Sequence, residues 1–337
     1  MEKVSLYGLS GSGKSCYIFA MAQALSQGVR FNDGQILTVR CPEPRQMAKL
    51  HKSYQQLVDG VWPAGNIESV DYRFNCRLAL SKSMDFEIKD YRGGLLNSDE
   101  DEEDIIDEQS ALFESFTGSN VLLFFIGADR IKEALNGDYN SVANLDFMNT
   151  LYERYLDDTH DAKTPVMLVI TKSDLLSDDE KVRAKQFVMN MFQSLFSTGT
   201  NLTSAITLVT LGKNLSNIGG ELEGELVIGP TAGNIQIPIL YSLFCVISNQ
   251  IEQSTGSLQT AQGSYSSAQN ALRRELDRSA FARFFDSNEQ AIRNRISSAN
   301  NIIEQEKVRL SKLSETLSRI KPLLLKGAEV YINGIRQ

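Results

Sequence analysis

Gly8-Leu9-Ser10-Gly11-Ser12-Gly13-Lys14-Ser15 fits the pattern G-x-x-x-x-G-K-S/T, a combination whose chemistry is a grip on polyphosphate. Glycines at that spacing let the backbone fold around an anion. Its amide hydrogens then turn inward at a helix N-terminus whose dipole favours negative charge. Gly8, Ser10, Gly11, Ser12, Gly13 and Cys16 are expected to act through that loop. Lys14 adds a point charge for the outer phosphates and for charge that develops on them. The Ser15 hydroxyl is the expected ligand of a Mg2+ ion bridging the last two phosphates.

Two further segments complete the constellation. Asp90-Tyr91-Arg92-Gly93 follows an apolar run, which puts a carboxylate at a strand end, where parallel-sheet proteins bind ligands. Asp90 is expected to hold the Mg2+, directly or through water, and Gly93 to offer its amide to the terminal phosphate, a contact that senses hydrolysis. Thr171-Lys172-Ser173-Asp174 also follows an apolar run, and its chemistry selects a base. The Asp174 carboxylate can accept hydrogen bonds from both the ring NH and the exocyclic amine of guanine, which adenine does not present together. The Lys172 stem is expected to lie along the ring.

Chemistry at three separated places needs a frame that gathers it. Residues 4–7, 86–89, 121–126, 166–170 and 206–210 form short β-branched or apolar runs, and longer helix-like stretches separate them. This predicts an α/β domain over residues 1–250, a mainly parallel sheet with both faces covered by helices. Beyond it Ile251, Leu258, Tyr265 and Leu272 recur every seven residues. So do Ile296, Ile303, Leu310, Leu317 and Leu324, with Leu313 and Ile320 beside them. Two long helices follow from that pattern, an antiparallel hairpin over residues 251–337. Ser287 with Gln290 reads as a capping box that starts the second helix. Pro322 should end or kink that helix, and a short terminal helix should follow. The hairpin either packs on the first domain or offers a surface for self-association or a partner protein.

Residues 251–337 carry 13 Lys and Arg against 9 Asp and Glu, a net +4 that leaves −12 for the rest. Much of the acidity lies in residues 99–108, DEDEEDIIDE, either a solvated run or a segment that docks on the basic helices. A net charge of −8 argues against a general nucleic-acid binder, which needs a positive field to displace counterions. The longest apolar runs are too short to span a bilayer, and no basic start with an apolar core and cleavage site opens the chain. Cys16, Cys41, Cys76 and Cys245 show no paired spacing and read as reduced thiols. A cytoplasmic protein is the expectation. His51 and His160, the only histidines, read as ordinary surface or loop residues.

The three motifs, in this order, resemble those of the P-loop GTPases: G-x-x-x-x-G-K-S/T, D-x-x-G and N/T-K-x-D. The resemblance covers about residues 3–251 and implies GTP and GDP as ligands with Mg2+, and cleavage between the outer two phosphates with water as acceptor. It also implies a loop that meets the base through backbone amides. Thr210-Leu211-Gly212 stands there, with Leu211 the expected contact. Residues 59–65, DGVWPAG, look like the first switch of translation-factor-related GTPases. They resemble in particular poorly described bacterial members of conflict or signalling operons, whose Asn-x-x-x-Pro is similar to Asn234 to Pro238. Two positions depart from the pattern. Asn66 stands where a Mg2+-binding threonine is usual, and Gly94 where a glutamine orients the attacking water. Slow unaided hydrolysis follows, with Arg92 the nearest group in the chain to stabilise the transition state. The implied function is a switch whose loops after Gly28 and Asp90 are ordered by GTP and Mg2+. Asn66 and Gly94 also suit a scaffold that binds GTP and hydrolyses little of it.

Overall fold

The computed structural model describes the chain outside residues 64–68, 79–80, 91–115, 117, 159–163, 219–220 and 278–287. Two compact units result, one of Met1–Cys245 with Pro322–Gln337, the other of Val246–Lys321.

The strands of the first unit are β1 (Glu2–Tyr7), β2 (Val29–Arg30), β3 (Ile36–Arg40), β4 (Val70–Leu78), β5 (Ser81–Asp90), β6 (Val121–Gly127), β7 (Val166–Thr171), β8 (Thr203–Leu208), β9 (Gly212–Ile218), β10 (Glu221–Leu226), β11 (Ala328–Ile332) and β12 (Ile335–Arg336). Ten of them form one sheet in the order β12-β11-β8-β7-β6-β1-β5-β4-β3-β2, and β9 with β10 makes a separate hairpin. From β5 through β1, β6 and β7 to β8 every pairing is parallel. Both flanks are antiparallel additions.

Helices α1 (Lys14–Gln27), α2 (Pro44–Val58), α3 (Ala128–Leu135), α4 (Tyr139–Asp158) and α5 (Asp178–Met191) belong to the same unit. Strand alternation decides what each side chain meets. Leu122, Phe124 and Ile126 of β6 join Tyr7, Phe116, Tyr152, Tyr155 and Phe192 in a core under α3, α4 and α5. Phe125 points the other way, its ring 5.1 Å from that of Tyr17 on α1. β6 and β7 are buried at every position, which explains why their sequences are apolar throughout. At about 2 kcal/mol for each fully buried large side chain, this core dominates the stability of the frame.

The predicted parallel core is present, with β8 beginning three residues earlier than residues 206–210. The flanks were not foreseen. After Gly28 the chain forms β2, β3 and α2 rather than an open loop. At the other end it does not finish in a short helix: Ala328 to Ile332 pair antiparallel with Thr207 to Thr203 of β8, and β12 turns back on β11. Residues 251–337 are therefore helical only as far as Gly327. Pro322 lies inside the last helix without ending it. Ile320 and Leu324 on either side are 1% and 0% exposed, and that burial outweighs the roughly 3 kcal/mol penalty of an interior proline.

The second unit is formed by α6 (Ile237–Leu276) and α7 (Glu289–Gly327) over Val246–Lys321. Ser254, Ala261, Ala268 and Glu275 are buried seven residues apart on α6, each three after the half-buried Ile251, Leu258, Tyr265 or Leu272. Along α7 Ile296, Ala299, Ile303, Glu306, Leu310, Leu313, Leu317 and Ile320 continue the same alternation of threes and fours. This spacing forms a seam along one face of each helix. Three of its four buried positions on α6 are small residues, Ser254, Ala261 and Ala268, which an apolar repeat alone does not reveal. Ser287 of the predicted capping box lies outside the described residues. No helix among the described residues is long and apolar enough to cross a membrane.

Candidate functional site

The chain leaves β1 after Tyr7 and enters α1 at Lys14, so residues 8–13 turn over the C-terminal end of β1. Only glycine fits at position 8, where a Cβ would lie 2.3 Å from the Phe125 carbonyl oxygen. Gly13 is the N-cap of α1 at φ 85°, and no side chain caps that end. The first-turn amides of α1 thus have no capping side chain, an arrangement that suits an anion. Ser10 and Gly11 are exposed at the tip of the loop, and Ser12 is buried. The Cys16 thiol is buried, and burial pushes its pKa up to about 12.

Lys14 is 6% exposed. Its ammonium donates to the Gly8 carbonyl at 2.6 Å and approaches that of Leu9 at 3.3 Å. Burial draws its pKa down to about 8, against an opposing pull from Asp90. Parallel pairing of Leu6 with Asp90 sets that carboxylate beside the end of β1, where it is fully buried. Ser15 Oγ donates to Asp90 Oδ2 at 2.9 Å. The two predicted metal ligands are thus together, one from a helix start and one from a strand end. Arg92, Gly93, Gly94 and Asn66 lie outside the described residues.

The segment Thr171 to Asp174 reaches the same edge through the register of β6 and β7, which pairs Gly127 with Thr171. Thr171 Oγ1 donates to the Ser12 carbonyl at 2.7 Å and so ties this segment to the loop of residues 8–13. Lys172 takes a left-handed backbone, φ 53°, and its ammonium is 2.5 Å from Asp129 Oδ2 in the first turn of α3. Asp174 lies in the single 3-10 turn Ser173–Leu175. Its Oδ1 accepts from Thr210 Oγ1 and its Oδ2 from the Leu215 amide, both at 2.8 Å. Leu211 follows Thr210 at the root of the β9–β10 hairpin, where its carbonyl accepts from Val227 N–H at 2.8 Å.

Three groups escaped the sequence reading: Asp129, the Thr210 side chain and the Leu215 amide. Asp129 directly follows β6, and carboxylates after apolar strands are the signal that could have found it. A backbone amide carries no signal at all.

Sheet order, the glycine loop between β1 and α1, and the carboxylates beyond the strand ends make this an α/β fold, a mainly parallel sheet flanked by helices with its candidate site at one edge of the parallel strands. No family model matches the chain, and no curated protein matches it. Among solved structures it is similar to the signal recognition particle receptor SRb in the SRb-GTP/SRX complex from Chaetomium thermophilum. That match has 13% identity and a TM-score of 0.40, and covers 62% of this chain and 90% of that one. It is also similar to translation elongation factor SelB from Methanococcus maripaludis in complex with the GTP analogue GppNHp, at 15% identity and TM-score 0.31, covering 62% of this chain. A third is a bacterial selenocysteine-specific elongation factor EF-Sec, at 12% identity and TM-score 0.32, again over 62%. The chain spans 30% and 26% of the length of those two elongation-factor chains.

Proposed function

We propose that this chain binds GTP and GDP with Mg2+ at the edge just described, hydrolyses GTP slowly to GDP and phosphate, and acts as a nucleotide-dependent switch. The observation that carries the reading is the bond from Thr171 Oγ1 to Ser12 O, which fastens a base-selecting carboxylate to a loop holding a buried lysine and a hydroxyl–carboxylate pair. Ser15 Oγ and Asp90 Oδ2, 2.9 Å apart, are the hard oxygen donors that Mg2+ takes. Among the described residues no cluster of three or more His, Cys, Asp or Glu could hold a metal ion. Two protein oxygens, with phosphate and water as the other ligands, match the way Mg2+ is held beside a nucleotide. Bound there, Mg2+ neutralises charge on the outer phosphates.

Lys14 exchanges its bonds to the Gly8 and Leu9 carbonyls for phosphate oxygens, and the N-terminus of α1 holds the same anion. Asp174 takes the guanine edge. Gly93 and Arg92 belong to the proposal as the amide that meets the terminal phosphate and the cation nearest it. With glycine at position 94, no side chain there orients water, which supports slow turnover. Membership of the translation-factor-related, operon-associated class rests on residues 59–65 and on Asn234, whose side chain donates to the Leu208 carbonyl at 3.0 Å. The helical unit is the proposed surface for a partner or a second copy. A cytoplasmic location fits four free cysteines.

Calorimetric titration with GTP, GDP and ATP, with and without Mg2+, tests this reading. GTP and GDP should bind on the order of a hundredfold tighter than ATP, because a carboxylate placed for guanine is left unpaired by adenine. Asp174→Asn should erase that preference. Equal binding of ATP would sink the base assignment. A second reading, a scaffold that binds GTP without cleaving it, is favoured by Asn66 and Gly94. Single-turnover phosphate release that disappears in Lys14→Ala excludes it.

A further inference from the structure

Between β8 and α6 the chain makes an excursion, the β9–β10 hairpin. Its ladder is irregular. Ser216 pairs with Glu223 and Lys213 with Glu225, so Asn214 and Leu215 stand opposite Gly224 alone. Such a bulge releases backbone groups from the ladder and bends the strand that carries them. Asn214 adopts a left-handed φ of 52°. Gly224, at φ 103°, crosses so close that a Cβ on it would be 2.5 Å from the Asn214 carbonyl oxygen. The Leu215 amide is thereby turned out of the ladder and donates to Asp174 Oδ2 at 2.8 Å.

An ionised carboxylate only accepts, and its two oxygens offer about four lone-pair sites. Leu215 N–H fills one on Oδ2 and Thr210 O–H one on Oδ1. One site on each oxygen remains, the same number as the donors on the guanine edge. The terminal torsion of an aspartate is otherwise broad. Two donors from opposite sides hold its plane before any ligand arrives, and such preorganisation strengthens binding. A cavity beside the carboxylate is lined by Asp174, Lys181 and Thr210 together with Lys213 and Asn214 of β9, so the hairpin also walls it.

We infer that the β9–β10 hairpin is a specificity element of the base site: the bulge opposite Gly224 aims the Leu215 amide at Asp174 and, with Thr210, fixes that carboxylate for guanine. Leu215 and Thr210 are positioning residues acting through Asp174. The inference rests on the guanine reading above.

Two variants of the full-length chain test it. In one, residues 213–226 are replaced by two glycines. Leu211 O already accepts from Val227 N–H at 2.8 Å, so the cut ends are neighbours. The other is Gly224→Ala, which drives a methyl group into the bulge and keeps the hairpin. Displacement of a fluorescent GDP by GDP and by ADP gives both affinities. Each variant should lose GDP affinity by about ten- to a hundredfold, the worth of one hydrogen bond to a charged group, while ADP changes less than about threefold. An unchanged ratio of GDP to ADP affinity, a parallel loss of both, or tighter GDP binding after excision overturns the inference. A parent protein that does not prefer GDP to ADP overturns the guanine reading instead.

Discussion

The phosphate end and the base end of the site are assembled by opposite means. Eight consecutive residues, 8–15, make the first, with one carboxylate borrowed from the neighbouring β5. The second is drawn from four places: Asp129 on α3, Lys172 and Asp174 after β7, Thr210 after β8 and Leu215 in a separate hairpin. Local assembly suits the end that must supply strength. On the proposed reading, a lysine kept 6% exposed would act on phosphate in low dielectric, where charge counts most. Dispersed assembly suits the end that must choose, since a fixed pair of acceptors needs buttressing from several directions.

The largest effect should come from Lys14→Ala, which removes the only buried cation among the described residues. A loss of about 2–5 kcal/mol in nucleotide affinity is expected, equal for GDP and ADP, as displacement titration will show. A loss confined to GDP would break the division of labour. Asp90→Asn comes next. It should remove about ten- to a hundredfold of the affinity that Mg2+ adds and leave metal-free GDP binding nearly untouched.

A pH titration sharpens the same division. Burial lowers the Lys14 pKa from an ordinary 10.5 to about 8. Between those values the free folded protein holds fewer protons than the unfolded chain, so its stability rises with pH across that window. Binding runs the other way, because phosphate needs the ammonium. Affinity for GDP and for ADP should fall together above about pH 8, by at most about tenfold per pH unit, with no such slope in Lys14→Ala. A slope seen only with GDP would place the titrating group at the base end.

The same contrast explains what the amino-acid order reveals. The loop at residues 8–15 is legible because contiguous glycines and a lysine do a contiguous job, and Asp90 because it ends an apolar strand. Asp174 is legible for the same reason. Its buttresses are not: Leu215 acts through its backbone, at a bulge that depends on which residues face each other across two strands. The fold divides likewise. Strands buried on both faces announce themselves by uniform apolarity, as β6 and β7 do. β11 is partly exposed, with an AEVYI sequence that reads equally as a helix end, and only its partner β8 makes it a strand. The seven-residue repeat shows in its large residues, whereas Ser254, Ala261 and Ala268 become visible as deep seam positions only once α6 is packed.

The smallest effect should be the most informative about how the two ends join. Thr171→Val keeps the shape of the side chain but removes the hydroxyl that donates to Ser12 O, at a cost of about 1 kcal/mol in stability. If this bond is the mechanical link, Thr171→Val and Asp174→Asn will not add in GDP affinity. A double-mutant cycle should give a coupling of about 0.5 kcal/mol or more, as groups sharing one network do. Strict additivity would mean that the loop and the base segment are held in register by the sheet alone, through the Gly127 to Thr171 pairing, and that the hydroxyl serves only its local carbonyl. Either outcome locates the joint, since the register of β6 and β7 and the Thr171 hydroxyl are two different ways of fixing the same distance between the anion grip and the base reader.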